Sequence, residues 1–323
     1  MIYILGAGAM GCLWAAHLQT SLKASSPPKT TPSRAVSLNT RSLGFISTRP
    51  QAAANLEFSL HSPFLPYIND SKDFSIPVYQ TLGEPNTSNI ILVCTKSYDA
   101  LPALNKLKKQ ITPQTCLVLF QNGLGSQHAI LEAFPNNAIF AAVTTEGVNR
   151  VSPSKVIHAG QGLTSIGALN AQVDNADTLD KCLSLLAHPG INLKKTENIW
   201  CSLWNKLAIN CAINPFTALL NCPNGELMTQ PYFQTTWPKL KQELALMLDA
   251  AGYPCEEGKL EQIVYEVIDN TKHNISSMLQ DIRLKKQTEI NDINGFAYQF
   301  LKSKHLAYQD NQTLCRKVQA LHE

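Results

Sequence analysis

The sequence predicts an α/β amino-terminal half followed by an all-α carboxyl-terminal half, and three observations carry that expectation. Residues 1–22 read as a strand, MIYIL, a glycine-rich turn, GAGAMG, and an apolar helix, CLWAAHLQTSL. Short apolar runs of strand length, IILVC and CLVLF among them, then recur as buried parallel strands do. After Glu197 the β signal ends, and long segments with apolar residues at helical spacing follow. The expected division is therefore 1–197 and 198–323, and 323 residues suffice for two cores. There is no internal repeat.

Composition narrows the class. A hydrophobic content of 44% and a charged content of 16% describe an ordinary soluble globular chain. A formal charge of +3 gives no field strong enough to imply nucleic acid or a membrane surface. No apolar run approaches the length that spans a bilayer, and residues 1–5 enter a glycine turn rather than a signal peptide. The nine cysteines are odd in number, lack a CxxC pair and sit mostly in apolar segments. Reduced, buried thiols and a cytoplasmic location follow. The eight histidines show no HxxxH or HExxH spacing, so no metal site is expected.

In the first segment, strand, turn and helix occur in the order that a dinucleotide fingerprint needs. Gly6 permits the tight turn, Gly8 lets a pyrophosphate approach the backbone, and Gly11 lets the helix pack on the strand. The backbone of Gly6, Ala7, Gly8, Ala9, Met10 and Gly11, with the helix N-terminus, offers N–H groups to phosphate. Residues 24–34, ASSPPKTTPSR, form a long surface loop. The second strand is expected at 35–40, AVSLNT, ending at Arg41. A cation and hydroxyls there, in place of an acidic residue, suit a 2′-phosphate and favour NADP(H). Arg34 is the alternative reader of that phosphate.

Residues 50–89 yield one strand, LEFSLH. IILVCTKS at 90–97 is a buried strand with Lys96 at its carboxyl end, and YDALPALNKLKKQI is a helix. CLVLFQNGLGS at 116–126 is another strand, ending at Gln121 and Asn122. Carboxyl ends of parallel strands are where open α/β sheets hold ligands, so Lys96 and Asn122 are candidates. IFAAVTTEG and KVIHAGQGLTSIGAL supply further strands, the latter read as antiparallel hairpin partners. NADTLDKCLSLLAHPG is a helix and INLKKTEN the last strand.

The stretch at 197–227, ENIWCSLWNKLAINCAINPFTALLNCPNGEL, carries two stripes on a helix. Trp200, Leu203, Trp204, Leu207, Ala208 and Cys211 form the apolar one. Lys206, Asn210 and Asn214 stand at i, i+4 and i+8 and share the other face. Asparagine is a poor helix-interior residue unless its amide is used, and a half-buried lysine is a candidate proton donor. Pro215 cannot donate to the carbonyl of Cys211, so a bend or break is expected there. The helices continue with PYFQTTWPKLKQELALMLDAAG, 257–275, 287–305 and 310–321. In HNISSMLQDIRLKKQTEINDINGF, Ser276 and Ser277 stand near a helix start, where serines cap. Glu289 reads as a helical, solvated carboxylate.

Together GAGAMG, TKS, QNGLG, LWNKLAINCAINPFTALLNCPNGEL and NISSMLQDIRLKKQTEINDINGF resemble the 2-dehydropantoate 2-reductase, or ketopantoate reductase, family. The resemblance covers nearly the whole chain, is strongest over 199–227 and 272–296, and is weakest over 24–89. It implies a Rossmann domain followed by a helical substrate domain, and NADPH-dependent reduction of 2-dehydropantoate to (R)-pantoate, towards pantothenate and coenzyme A. It assigns Lys206 as general acid and places Asn122 between nicotinamide and substrate. It gives Asn210, Asn214, Asn224 and Ser277 to the substrate's carboxylate and hydroxyl, and sets Glu289 at the ligands. The 6–11 turn, Arg41, Lys96 and Val148 fall to the cofactor. Family members often have His where Gln121 stands. A site at the domain interface would imply closure, with the bend at 214–215 as hinge region. A reductase of another 2-oxo acid and a non-catalytic NADPH sensor are the rival readings. The partner implied is a small molecule, with no nucleic acid and no membrane, and the sequence leaves a homodimer open.

Overall fold

The computed structural model describes residues 1–24, 42–49, 53–83, 89–170, 175–187 and 190–322. The chain divides into two compact units. The first comprises Met1–Gln121 and Ala129–Ile199, and the second comprises Asn122–His128 and Trp200–Glu323. The second unit thus takes seven residues from the middle of the first, in addition to everything after Ile199.

The first unit is built on a mixed sheet. Its strands are β1 (Ile2–Leu5), β2 (Leu43–Ile46), β3 (Asn55–His61), β4 (Ser71–Tyr79), β5 (Ile90–Val93), β6 (Cys116–Leu119), β7 (Ile139–Thr144), β8 (Gly147–Ser152), β9 (Lys155–Gly160), β10 (Thr164–Ala168) and β11 (Leu193–Lys195). They lie in the order β11-β10-β7-β6-β5-β1-β2-β4-β3-β9-β8. The middle, from β7 to β4, is parallel throughout. Its strands β1, β2, β5 and β6 are buried at every residue, as sheets covered on both faces require. Helices α1 (Ala9–Ala24), α2 (Ser97–Leu107), α3 (Ser126–Ala133) and α4 (Asn175–Leu186) make the crossovers.

Three expectations change here. The strand beside β1 is Leu43–Ile46, paired Ile2↔Leu43 to Leu5↔Ile46, while the strand expected at 35–40, the loop expected at 24–34 apart from Ala24, which ends a helix, Arg34 and Arg41 lie outside the described residues. The segment LGFI is the more apolar, and full burial between β1 and β4 selects it. Strand β4 was hidden because SKDFSIPVY carries polar residues and a proline. It pairs antiparallel with β3 over seven residues and buries only Phe74 and Ile76. β9 and β10 are not partners. β9 pairs with β8 and β3, and β10 with β7 and β11, on opposite sides of the sheet.

The second unit is helical: α5 (Ile199–Leu220), α6 (Pro231–Ala250), α7 (Glu257–Asn270), α8 (Ser277–Arg283), α9 (Asn294–Ser303) and α10 (Gln309–Gln319). α5 is apolar nearly all round, which marks a helix enclosed by others. Phe216 packs edge-on to Phe233 at 5.0 Å between ring centres, and Phe233 stacks on Trp237 at 5.8 Å, tying α5 to α6. Trp204 meets Phe300 at 4.8 Å and Phe296 at 5.7 Å, tying α5 to α9. A fully buried aromatic side chain of this kind contributes ~2–3 kcal/mol. The expected break at Pro215 does not occur, because α5 continues as one helix to Leu220.

Candidate active site

The glycine turn of the first unit has the geometry its spacing implies. Gly6 sits at φ +111°, and a Cβ there would stand 2.6 Å from the backbone nitrogen of Thr95. A Cβ on Gly11 would meet the Gly6 carbonyl at 2.1 Å, so only glycine brings α1 this close to β1. Gly8 differs, since its nearest neighbour would be the Cys94 carbonyl at 3.8 Å. The space above Gly8 is open, as the approach of a pyrophosphate to the N-terminus of α1 requires. β5 lies beside β1, and Lys96 follows it at the start of α2. Ala7, Met10 and Val148 are partly buried against the core of this unit. The residues present therefore fit a dinucleotide.

Other residues around this turn gave no signal in the sequence. Arg150 on β8 donates to the carbonyls of Ala7 and Pro153. His158 on β9 pins the hairpin, with Nε2 at 2.7 Å from Glu146 Oε2 and Nδ1 at 2.9 Å from Ser62 Oγ, all three side chains buried. Only pairing in space assembles such contacts. The Gln121 amide donates to the carbonyls of Val93 and Thr95 at 2.7 and 3.1 Å, a structural tie between strand ends. The carboxyl end of β2 reads Ser47, Thr48, Arg49, again two hydroxyls and a cation.

The second unit assembles the polar stripe. Asn122 Nδ2 donates to Glu289 Oε2 at 3.3 Å. Gly123 makes this reach feasible: at φ +78° it lies against the 290–292 turn, where a Cβ would meet the Asp292 carbonyl at 2.1 Å. Leu124 N–H then bonds to that same carbonyl at 3.0 Å. Glu289 is 4% exposed and precedes a short 3-10 turn, Ile290–Asp292, so it is neither helical nor solvated. The basic run before it misleads because tertiary packing, not local sequence, sets its burial.

Lys206 on α5 lies close enough to Glu289 for their charges to interact. Burial outweighs the opposing pull of the Glu289 carboxylate and lowers the Lys206 amine to about 8. Asn210 is half-buried and Asn214 buried, and neither side chain makes a hydrogen bond among the described residues. Asn224 is buried, with Nδ2 donating to Thr271 Oγ1 at 2.8 Å and Oδ1 lacking a partner. The serines divide. Ser276 caps α8 by accepting from Leu279 N–H at 3.1 Å and bonds Thr217 Oγ1 at 2.7 Å, while Ser277 is exposed on the first turn. An ammonium of lowered pKa beside a buried carboxylate, with free amides along the same helix, can protonate a developing alkoxide and hold an anionic group.

Among the described residues no helix is long and apolar enough to cross a membrane, no metal-binding cluster occurs, and all nine cysteines are free. The chain matches the family described as ketopantoate reductase PanE/ApbA over residues 2–171, and its C-terminal counterpart over 198–322. It is 28% identical to the 2-dehydropantoate 2-reductase of Vibrio cholerae over 322 residues, covering 100% of this chain and 98% of that one. It is 33% identical to the enzyme of the same name from Shigella flexneri over 243 residues, covering 74% and 77%. Among solved structures it is similar to a probable 2-dehydropantoate 2-reductase from Bacillus subtilis, with a TM-score of 0.75, 22% identity and 99% of both chains covered. It is also similar to a D-mandelate dehydrogenase solved with NADH and anilino(oxo)acetate, with a TM-score of 0.79, 19% identity, and 100% and 98% covered.

Proposed function

The chain is an oxidoreductase of the ketopantoate reductase family, and on that premise we propose that it reduces 2-dehydropantoate to (R)-pantoate with NADPH, in the cytoplasm, on the route to pantothenate and coenzyme A. The observation that carries the proposal is the second unit's cluster: Lys206 held near neutrality by burial, Glu289 beside it, and Asn122 on Glu289.

In this reading residues 1–197 form the dinucleotide-binding domain and 198–323 the substrate domain. The 6–11 turn cradles the pyrophosphate, Lys96 and Val148 add contacts, and Arg41 reads the 2′-phosphate. NADPH, when bound, supplies the hydride. Lys206 binds the ketone oxygen and gives it a proton as negative charge develops there. An amine near 8 is largely protonated at neutral pH yet a stronger acid than an ordinary lysine. Glu289 orients that ammonium, and Asn122 fixes the Glu289 oxygen it touches. Asn210 and Asn214 hold the substrate carboxylate with amides that have no hydrogen-bond partner among the described residues. Asn224 Oδ1, a buried acceptor without a donor among the described residues, takes the substrate hydroxyl, and Ser277 closes the same end.

Another 2-oxo acid is the second reading, favoured by the likeness to D-mandelate dehydrogenase. A panel of kcat/KM values decides, with 2-dehydropantoate, phenylglyoxylate and pyruvate each tested against NADPH and NADH. The proposal expects 2-dehydropantoate with NADPH to lead. A lead for phenylglyoxylate would keep the chemistry and replace the substrate, and NADPH binding without turnover of any acid would leave a sensor.

A further inference from the structure

Pro215 leaves one carbonyl of α5 without its helical donor. A proline has no backbone N–H, so the Cys211 carbonyl four residues back receives nothing from position 215. Another element fills the place. Asn294, fully buried at the start of α9, donates Nδ2 to the Cys211 carbonyl at 3.2 Å and to Asn311 Oδ1 at 3.0 Å. Asn311, also fully buried, donates its own Nδ2 to Glu243 Oε2 at 2.9 Å. Glu243 on α6 accepts as well from the backbone N–H groups of Asp310 and Asn311, at 2.8 and 2.9 Å, closing the first turn of α10. A carboxylate only accepts, so it sets the direction of the whole chain of amides. Asn311 must turn nitrogen to Glu243 and oxygen to Asn294, and both hydrogens of Asn294 then point at acceptors.

The two ends of this chain bear on the site. Cys211 follows Asn210 on the helix that carries Lys206. Asn294 follows Ile293, whose N–H bonds back to the Glu289 carbonyl at 3.1 Å. Asn294 thus joins the helix of Lys206 to the turn of Glu289 through buried bonds.

We propose that Asn294 is a positioning residue of this site: by supplying the donor that Pro215 withholds, it fixes the distance between the Glu289 turn and the Lys206 face of α5. Its effect on rate rests on the proposed reductase reading, whereas its effect on the Lys206 amine does not.

A mutant cycle tests this, because an N–H restored at 215 supplies the Cys211 carbonyl from within the helix, so that only the Asn311 bond still depends on the Asn294 amide. Asn294→Ala, Pro215→Ala and the double variant are compared by two readouts. The first is the pH dependence of acylation of Lys206 in the ligand-free protein, followed by peptide mass spectrometry. The second is kcat and KM. Asn294→Ala alone is expected to shift the amine's titration to lower pH, as the Glu289 charge recedes, and to cut kcat by ~10- to ~100-fold with KM little changed. In the Pro215→Ala background the same substitution removes only the Asn311 bond and is expected to shift the titration and cut kcat far less. Equal effects in the two backgrounds, or an unshifted amine, would overturn the proposal. Should Asn294→Ala not fold alone, the double variant is expected to recover stability and titrate near wild type, and a double variant no more stable than Asn294→Ala would overturn it. If the wild type itself fails to turn over 2-dehydropantoate, the reductase reading falls while the amine titration still decides this one.

Discussion

Asn122 and Glu289, 167 positions apart in sequence, are joined by a hydrogen bond of 3.3 Å from the Asn122 amide to the Glu289 carboxylate. The bond belongs to the second unit, which takes Asn122–His128 out of the middle of the chain and sets them on the turn after Glu289. It places two of the candidate residues on one carboxylate, and that carboxylate acts on the Lys206 amine.

The pH profile follows from Lys206. In the proposed reaction the group that gives the proton is the Lys206 ammonium, whose pKa burial, partly offset by Glu289, lowers to about 8. The kcat for ketone reduction should be flat below that value and fall about tenfold per pH unit above it. Glu289 raises this pKa, so Glu289→Gln should move the falling limb to lower pH. Steady-state pH profiles of wild type and variant check both statements. A limb that stays put, or moves up, contradicts them.

The glycine turn gives a contrast between two alanine substitutions. Gly11→Ala drives a Cβ into the Gly6 carbonyl, a backbone atom that cannot swing aside. A loss of ~3 kcal/mol of stability is expected, at the upper end of overpacking costs. Gly8→Ala meets open space, so thermal unfolding should barely change while the NADPH Kd rises ~10-fold or more, equivalent to about 1.4 kcal/mol. Calorimetry and fluorescence titration separate the two. A destabilised Gly8→Ala that binds NADPH normally would reverse the assignment of that space.

The proposed cofactor choice is tested by two arginine variants in parallel. Arg41→Ala is expected to weaken NADPH by ~10-fold or more while leaving NADH alone, since only NADPH carries the 2′-phosphate. Arg49→Ala, at the carboxyl end of β2, is the control. If Arg49→Ala instead shows the NADPH-selective loss, the phosphate is read from the end of β2.

Legibility in the sequence varied with the range of the interactions that fix each part. The 1–22 segment was legible because strand, turn and helix are local and Gly6 and Gly11 have steric reasons, though α1 begins three residues earlier than read, at Ala9. The fully buried strands β1, β5 and β6 were legible as apolar runs, whereas β2, equally buried, was set at 35–40 instead, and β4, polar and one-sided, gave no signal. The stripe of Lys206, Asn210 and Asn214 was visible from helical spacing alone. Glu289 was misread as solvated because its burial depends on the 122–125 segment and α5. Pro215 was read as a bend or break since its missing bond is evident locally, while the donor that replaces it, Asn294, is remote.

The most direct measurement is single-turnover reduction of 2-dehydropantoate by NADPH, followed by stopped-flow absorbance, in wild type and Lys206→Ala. The account predicts that the variant binds NADPH as wild type does and that its chemical step slows by ~10²–10⁴-fold, the usual worth of a general acid. A variant with an unchanged rate constant would contradict the role of Lys206, and a wild type that binds NADPH without consuming it would contradict the proposed reaction.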